Sequence, residues 1–249
     1  MKIAYWLLGI CLLVFLMVVI GGVTRLTGSG LSMVEWKPVT GFIPPFTQSD
    51  WQLLFDSYRQ YPEFIKVNHA MDLAGFKGIF WLEFIHRVLG RLIGLAFLLP
   101  FLYFLIRGMI PRNLTPKLIV MFILGGLQGL LGWYMVKSGL VNDPHVSQYR
   151  LTAHLMLAVA IYAYILWTAL NLIADEKPYT GFTPDILNLP GKTLLLMVFV
   201  VVTMISGGFV AGLKAGLIYN TFPLMGDNLI APGVFAMQPW YMAMLDDAI

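Results

Sequence analysis

Four ionisable side chains crowd the first third of an otherwise apolar run, "IFWLEFIHRVLGRLIGLAFLLPFLYFLI" (Ile79 to Ile106): Glu83, His86, Arg87 and Arg91. Such groups are costly at membrane depth and persist where they bind or react. A second intramembrane imidazole, His154, lies in the run 151–173, with Arg150 four residues before it. Both histidines lie roughly 10 Å inside the same end of their runs at 1.5 Å per residue. One histidine alone would suit an interhelical hydrogen bond. Two at equal depth, with arginines beside them, suit a shared metal or haem, because helix bundles build such sites from facing side chains.

Imidazole is a standard axial ligand of haem iron, whereas zinc would need a Cys or further His that does not join this pair. Arginine binds carboxylates as a bidentate fork. Arg87 next to His86, Arg150 on the His154 face and Arg25 at the end of the first span are therefore candidates for the two haem propionates. Snorkelling to the interface is the plain alternative for Arg25 and Arg150. Glu83 precedes His86 by three residues and Arg87 by four. Either it forms an ion pair with Arg87, or it moves protons or stabilises charge at a haem edge; the spacing allows both. His69 and His145 fall in loops, as solvated imidazoles.

The elements that must position these groups are membrane helices. The chain has 249 residues, 59% hydrophobic and 12% charged, with mean hydropathy +0.78. A soluble domain would be about a quarter charged. The net charge of +3 is diffuse, with no basic run of the kind that binds nucleic acid. The single cysteine, Cys11, allows no intrachain disulfide. Apolar runs near 20 residues fall at 3–23, 79–106, 117–136, 151–173 and 193–213. The first exceeds a signal-peptide core and no Ala-x-Ala site follows it, so it reads as a retained span. Lys2, Arg107, Arg112, Lys117, Lys177 and Lys192 mark the cytoplasmic loops by the positive-inside rule. The N-terminus is then cytoplasmic and the long loop 24–78 lies outside. Within that loop, "SDWQLLFDSY" predicts a short interfacial helix presenting Trp51, Leu54, Phe55 and Tyr58, after a stretch made irregular by Pro38, Pro44 and Pro45.

The chain also echoes itself. Gly21-Gly22 and Gly30-Leu31 recur as Gly207-Gly208 and Gly216-Leu217, at a constant offset of 186. Internal repeats are common in helical membrane folds. The expectation is an all-α polytopic membrane helix bundle: a four-helix repeat unit plus the first helix of a second, incomplete repeat. Residues 1–175 form the haem-binding half and 190–249 begin the second half. The final "PWYMAMLDDAI" ends inside an outer loop, which predicts a fragment of a protein of about eight spans. No P-loop, Rossmann glycine fingerprint or hydrolase triad occurs.

"GGVTRLTGSGLSMVEWKPVTGFIPP", followed by "YPEFIKVNHAM" and "FKGIFWLEFIHRVLGR", resembles the haem A synthase family of cytochrome oxidase assembly, in its proteobacterial and mitochondrial branch. The likeness runs from the first span through "GLIYNTFPLM". It implies a pseudo-twofold eight-helix bundle that oxidises the C8 methyl of haem O to a formyl group. His86 and His154 match the histidine pair of the substrate site, and Glu83 matches the acidic residue there. The second pair, with haem B, would fall at about positions 272 and 340 by the repeat offset. The cysteine pair that some branches of the family carry in the first outer loop is absent, and Gly75 stands where an acidic residue is usual. The implied setting is a bacterial inner membrane. The implied partners are haem O and its farnesylating synthase, an electron donor the sequence does not name, the lipid bilayer and, in a homo-oligomer, a second copy. A bis-histidine b-type cytochrome and a haem-delivery assembly factor are the competing readings.

Overall fold

The computed structural model describes residues 1–37, 40–141, 144–176, 189–221 and 224–229. Pro38, Lys177, Phe222-Pro223 and the terminal stretch from 230, all used above, lie outside the described residues. Among the described residues seven α-helices follow one another: α1 (Lys2–Leu26), α2 (Gln48–Tyr58), α3 (Pro62–Lys66), α4 (Leu73–Ile106), α5 (Thr115–Gly139), α6 (Gln148–Glu176) and α7 (Leu189–Leu213). Among the described residues the only β pairing is an isolated bridge between Met225 and Asn228. Five helices among the described residues are long and apolar enough to cross a membrane. They are the five runs read from the sequence, and the chain is a polytopic helix bundle.

α1, α4, α5 and α6 form an antiparallel four-helix ring. α1 packs on α4 and α6, and α5 packs on α6 and more lightly on α4. α4 and α6 therefore occupy opposite corners. One end of the ring is filled by apolar side chains, including Leu7, Val14, Phe101, Leu118, Met121 and Ile165, which are nearly or fully buried. This plug lies away from the histidines, whose half of the bundle is packed by other means.

Pro100 sits inside α4 and supplies no N–H for the Ala96 carbonyl one turn earlier. The Trp6 indole of α1 donates to that carbonyl instead (3.0 Å). A backbone acceptor left bare in lipid would cost several kcal/mol, so Pro100 and Trp6 act as a pair that ties α1 to α4.

α4 has 34 residues, about 51 Å at 1.5 Å per residue, more than a hydrocarbon core of about 30 Å needs. Its first turns project beyond the ring and carry Phe76 and Phe80, on which α2 packs through Trp51, Phe55 and Tyr58. The helix expected from "SDWQLLFDSY" is present, but its apolar face is turned onto α4. Its cap is Thr47: Thr47 Oγ1 accepts from the Asp50 N–H (3.1 Å) and Asp50 Oδ2 from the Thr47 N–H (2.9 Å). Leu53 points away, 72% exposed.

α7 lies outside the ring, against α6. The approach is close because Gly208 and Gly212 face Thr152 and Gln148; a Cβ on Gly212 would strike the Gln148 backbone. Further from this contact α7 is bare: Leu194 to Val200 are all exposed.

Candidate haem-binding site

His86 on α4 and His154 on α6 project from opposite corners of the ring, at the end opposite the apolar plug. Each ring lies on a glycine of the adjoining helix. A Cβ on Gly21 of α1 would sit 3.0 Å from His86 Cε1, and one on Gly132 of α5 would sit 2.9 Å from His154 Cε1. Gly21 lies five residues before the end of α1 and Gly132 seven before the end of α5. The two imidazoles are therefore level, about 8–10 Å inside the same face. Both Nδ1 atoms are buried with no hydrogen-bond partner among the described residues.

Two imidazoles at one level, each seated where only a hydrogen side chain leaves room, suit a flat ligand. Haem fits this arrangement, and His86 and His154 would hold it by its iron. Among the described residues no cluster of three or more His, Cys, Asp or Glu could hold a bare metal ion.

Glu83 is 3% exposed and accepts at both oxygens. Oε2 receives the Ser32 hydroxyl (2.7 Å) and the Met33 N–H (2.8 Å). Oε1 receives Arg87 Nε (3.0 Å) and Nη2. The ion pair that was one of the two readings of this residue is thus present. Arg87 also donates to the carbonyls of Met33 (2.9 Å) and Glu35 (3.2 Å). One turn deeper, Arg91 donates to the Lys37 carbonyl (2.8 Å) and lies over the Phe42 ring. The loop after α1 is so clasped along α4, and Trp36 stacks on Trp133 of α5 (centroids 5.3 Å). It crosses the α4–α5 side, where the two helices touch least.

The other arginines have separate partners. Arg25 Nη2 donates to the carbonyls of Ala211 (2.7 Å) and Gly212 (2.8 Å), at the C-terminus of α7. A cation there also complements the helix dipole. Arg150 Nη1 donates to the Tyr134 carbonyl (3.0 Å), and its guanidinium lies 3.7 Å from the Tyr134 ring centroid. Arg150 is one helical turn from His154 towards the open end of α6. His69 and His145 are exposed.

Sequence reasoning missed two groups. Gln128 of α5 donates through Nε2 to the His154 carbonyl (3.0 Å) and lies 3.4 Å from His154 Nε2. An uncharged amide does not stand out in a glycine-rich span, and only the fold brings it to the histidine. Glu63 of α3 is buried beneath α2, accepting from the Tyr58 hydroxyl (3.1 Å), which accepts from Asn68 Nδ2 (2.8 Å). Burial pushes the Glu63 carboxyl up to about 7, with Glu83 adding repulsion while the Tyr58 bond and Lys214 work against the rise.

The sequence of residues 4–248 matches the family model described as cytochrome oxidase assembly protein. The chain is 55% identical to a haem A synthase of Nitrosospira multiformis, over 98% of this chain and 68% of that one. It is 53% identical to one of Nitrosomonas eutropha (99% and 69%) and 54% to one of Paramagnetospirillum magneticum (94% and 66%). The chain thus spans about two thirds of the length of these relatives. No solved structure matches it. With a match across nearly its whole length and paired intramembrane histidines at its centre, the chain belongs to the cytochrome oxidase assembly protein family.

Proposed function

We propose that the chain acts as a haem A synthase, oxidising the C8 methyl of haem O to a formyl group. The observation that carries this reading is the histidine pair: level, away from the apolar plug, and each seated on a glycine of the adjoining helix. His86 and His154 would hold haem O by its iron, and the haem brings the redox chemistry. The protein's own part is to fix the macrocycle's orientation, keep water from the reacting edge and steady developing charge.

Arg150 is the arginine we assign to a propionate, since it stands one turn outward from His154. Arg150 would exchange one hydrogen bond, to the Tyr134 carbonyl, whereas Arg87 and Arg25, also candidates, would each have to give up two or more. Glu83, proposed for proton or charge handling, is the centre of the clasp that holds the loop against α4. Its influence on the methyl oxidation would pass through that loop as well as through its charge. Residues 1–175 would form one haem-binding half with the N-terminus cytoplasmic, and 190–249 would open a second half that holds haem B. An electron donor and the farnesylating synthase would complete the working set.

The test is haem extraction from membranes making the protein at the relatives' full length, alongside His86→Ala and His154→Ala. Haem A or its hydroxymethyl precursor should accumulate with the wild type and disappear with either variant. Haem B alone, with a bis-histidine spectrum, would instead make it a b-type electron carrier.

A further inference from the structure

Gln128 lies one helical turn before Gly132, so α5 meets the His154 ring at two points. Gly132 supports its face, and the Gln128 amide reaches its edge. An amide N–H can only donate, so His154 Nε2 takes this contact with its lone pair and the ring proton stays on Nδ1. The second N–H of the same amide is fixed on the His154 carbonyl. His86 has the matching glycine seat on Gly21, but no hydrogen bond to its ring nitrogens is described. The two histidines are therefore held unequally.

We propose that Gln128 is a positioning residue that captures the His154 lone pair whenever this histidine is off the haem iron. His154 is then the exchangeable ligand and His86 the lasting one. The inference rests on the haem reading above. A site whose bound molecule is first substrate and then product must let go, and one ligand must open for that. A bare imidazole nitrogen in apolar surroundings is expensive. An amide N–H at Nε2 offsets that cost, and it keeps Nε2 unprotonated, ready to ligate again. Iron and amide compete for one lone pair, so the open and closed states exclude each other.

Carbon monoxide binding to the ferrous protein reads the open state. At low carbon monoxide the observed rate is proportional to the fraction of sites with one histidine off. The protein used is the full-length, haem-loaded form, whose low-spin bis-histidine spectrum is recorded first. Gln128→Met keeps the side-chain length and removes the donor. It should keep the low-spin spectrum and slow carbon monoxide binding by about five- to tenfold, the worth of one hydrogen bond. Gly132→Ala should act the other way, because its Cβ would press on His154 Cε1 and favour the open state. In a His154→Ala background, Gln128→Met should change nothing, whereas a merely structural role would show in both backgrounds.

Equal rates in wild type and Gln128→Met, with the spectrum intact, overturn the proposal. If Gln128→Met cannot hold haem, Gly132→Ala decides: faster binding supports the proposal and an unchanged rate overturns it. A bis-histidine spectrum identical in wild type and His86→Ala overturns the haem reading itself, which is a separate failure.

Discussion

Glu83 shows how much a single residue can carry at membrane depth. Four donors converge on its two oxygens, so Glu83→Gln sets an NH₂ group against either Ser32 and Met33 or Arg87. Donor facing donor in a buried site should cost about 1–3 kcal/mol. The expected outcome is a lower melting temperature in detergent and faster proteolysis of the 29–37 loop, with Ser32→Ala a milder copy. If instead Glu83→Gln leaves stability and haem content untouched while haem A formation falls about 10²–10⁴-fold, acid–base work is its main role. Glu63 gives a pH signature. Its folded value of about 7 lies above its ordinary 4.5, chiefly through burial. The folded state then binds the proton more tightly than the unfolded one, so stability from this group is full below pH 4.5 and declines as pH rises towards 7. Glu63→Gln should flatten the melting temperature across that window; an unchanged slope would remove Glu63 as its source. His86, His154 and Glu83 were legible in the sequence because charge in an apolar run is conspicuous. Gln128 and Glu63 were not, since one is neutral and the other sits in a polar loop, and only packing gives them meaning.

Hydropathy at the scale of elements located all five spans, because the run of about 20 apolar residues is a requirement of the bilayer. The ends were less legible. α4 begins at Leu73 rather than near Ile79, since its first turns are covered by α2 and their helicity depends on that contact. The glycine seats were equally hidden: Gly21 and Gly132 look like any small residue until a ring is found on each. The tie between Pro100 and Trp6 is the clearest dependence of one element on another. Trp6→Phe keeps most of the ring contacts with Phe97 and Phe104 but removes the indole N–H, leaving the Ala96 carbonyl without its donor. It should destabilise the bundle by about 1–3 kcal/mol, the cost of an unsatisfied buried acceptor, read as a lower unfolding midpoint. Adding Pro100→Ala restores the helix's own N–H, so the double variant should recover most of that loss. No recovery would mean that the indole serves through packing alone.

Across the whole molecule, α1 and α7 stand on the same helix, α6, and Arg25 of α1 caps the end of α7. The repeat offset pairs Gly21 with Gly207 and Gly22 with Gly208. The two members of the first pair differ in what they meet: Gly21 carries the His86 ring, while a Cβ on Gly207 would meet nothing within 4 Å. If α7 opens a second haem-binding half, Gly207 is the seat of a second imidazole, from the helix that follows it in a chain of the relatives' length. The two glycines then separate the two sites. Gly21→Ala presses on His86 Cε1 and should lower occupancy of the first site, with loss of haem O oxidation and little change in haem B. Gly207→Ala should leave the first site and the stability of residues 1–175 unchanged. In the longer chain it should lower haem B content instead, measured by pyridine haemochrome spectra of the purified protein. Loss of haem O oxidation from Gly207→Ala, or intact haem B beside it, would show the glycine echo to be coincidence. The five spans would then be a single haem-binding unit with an added helix.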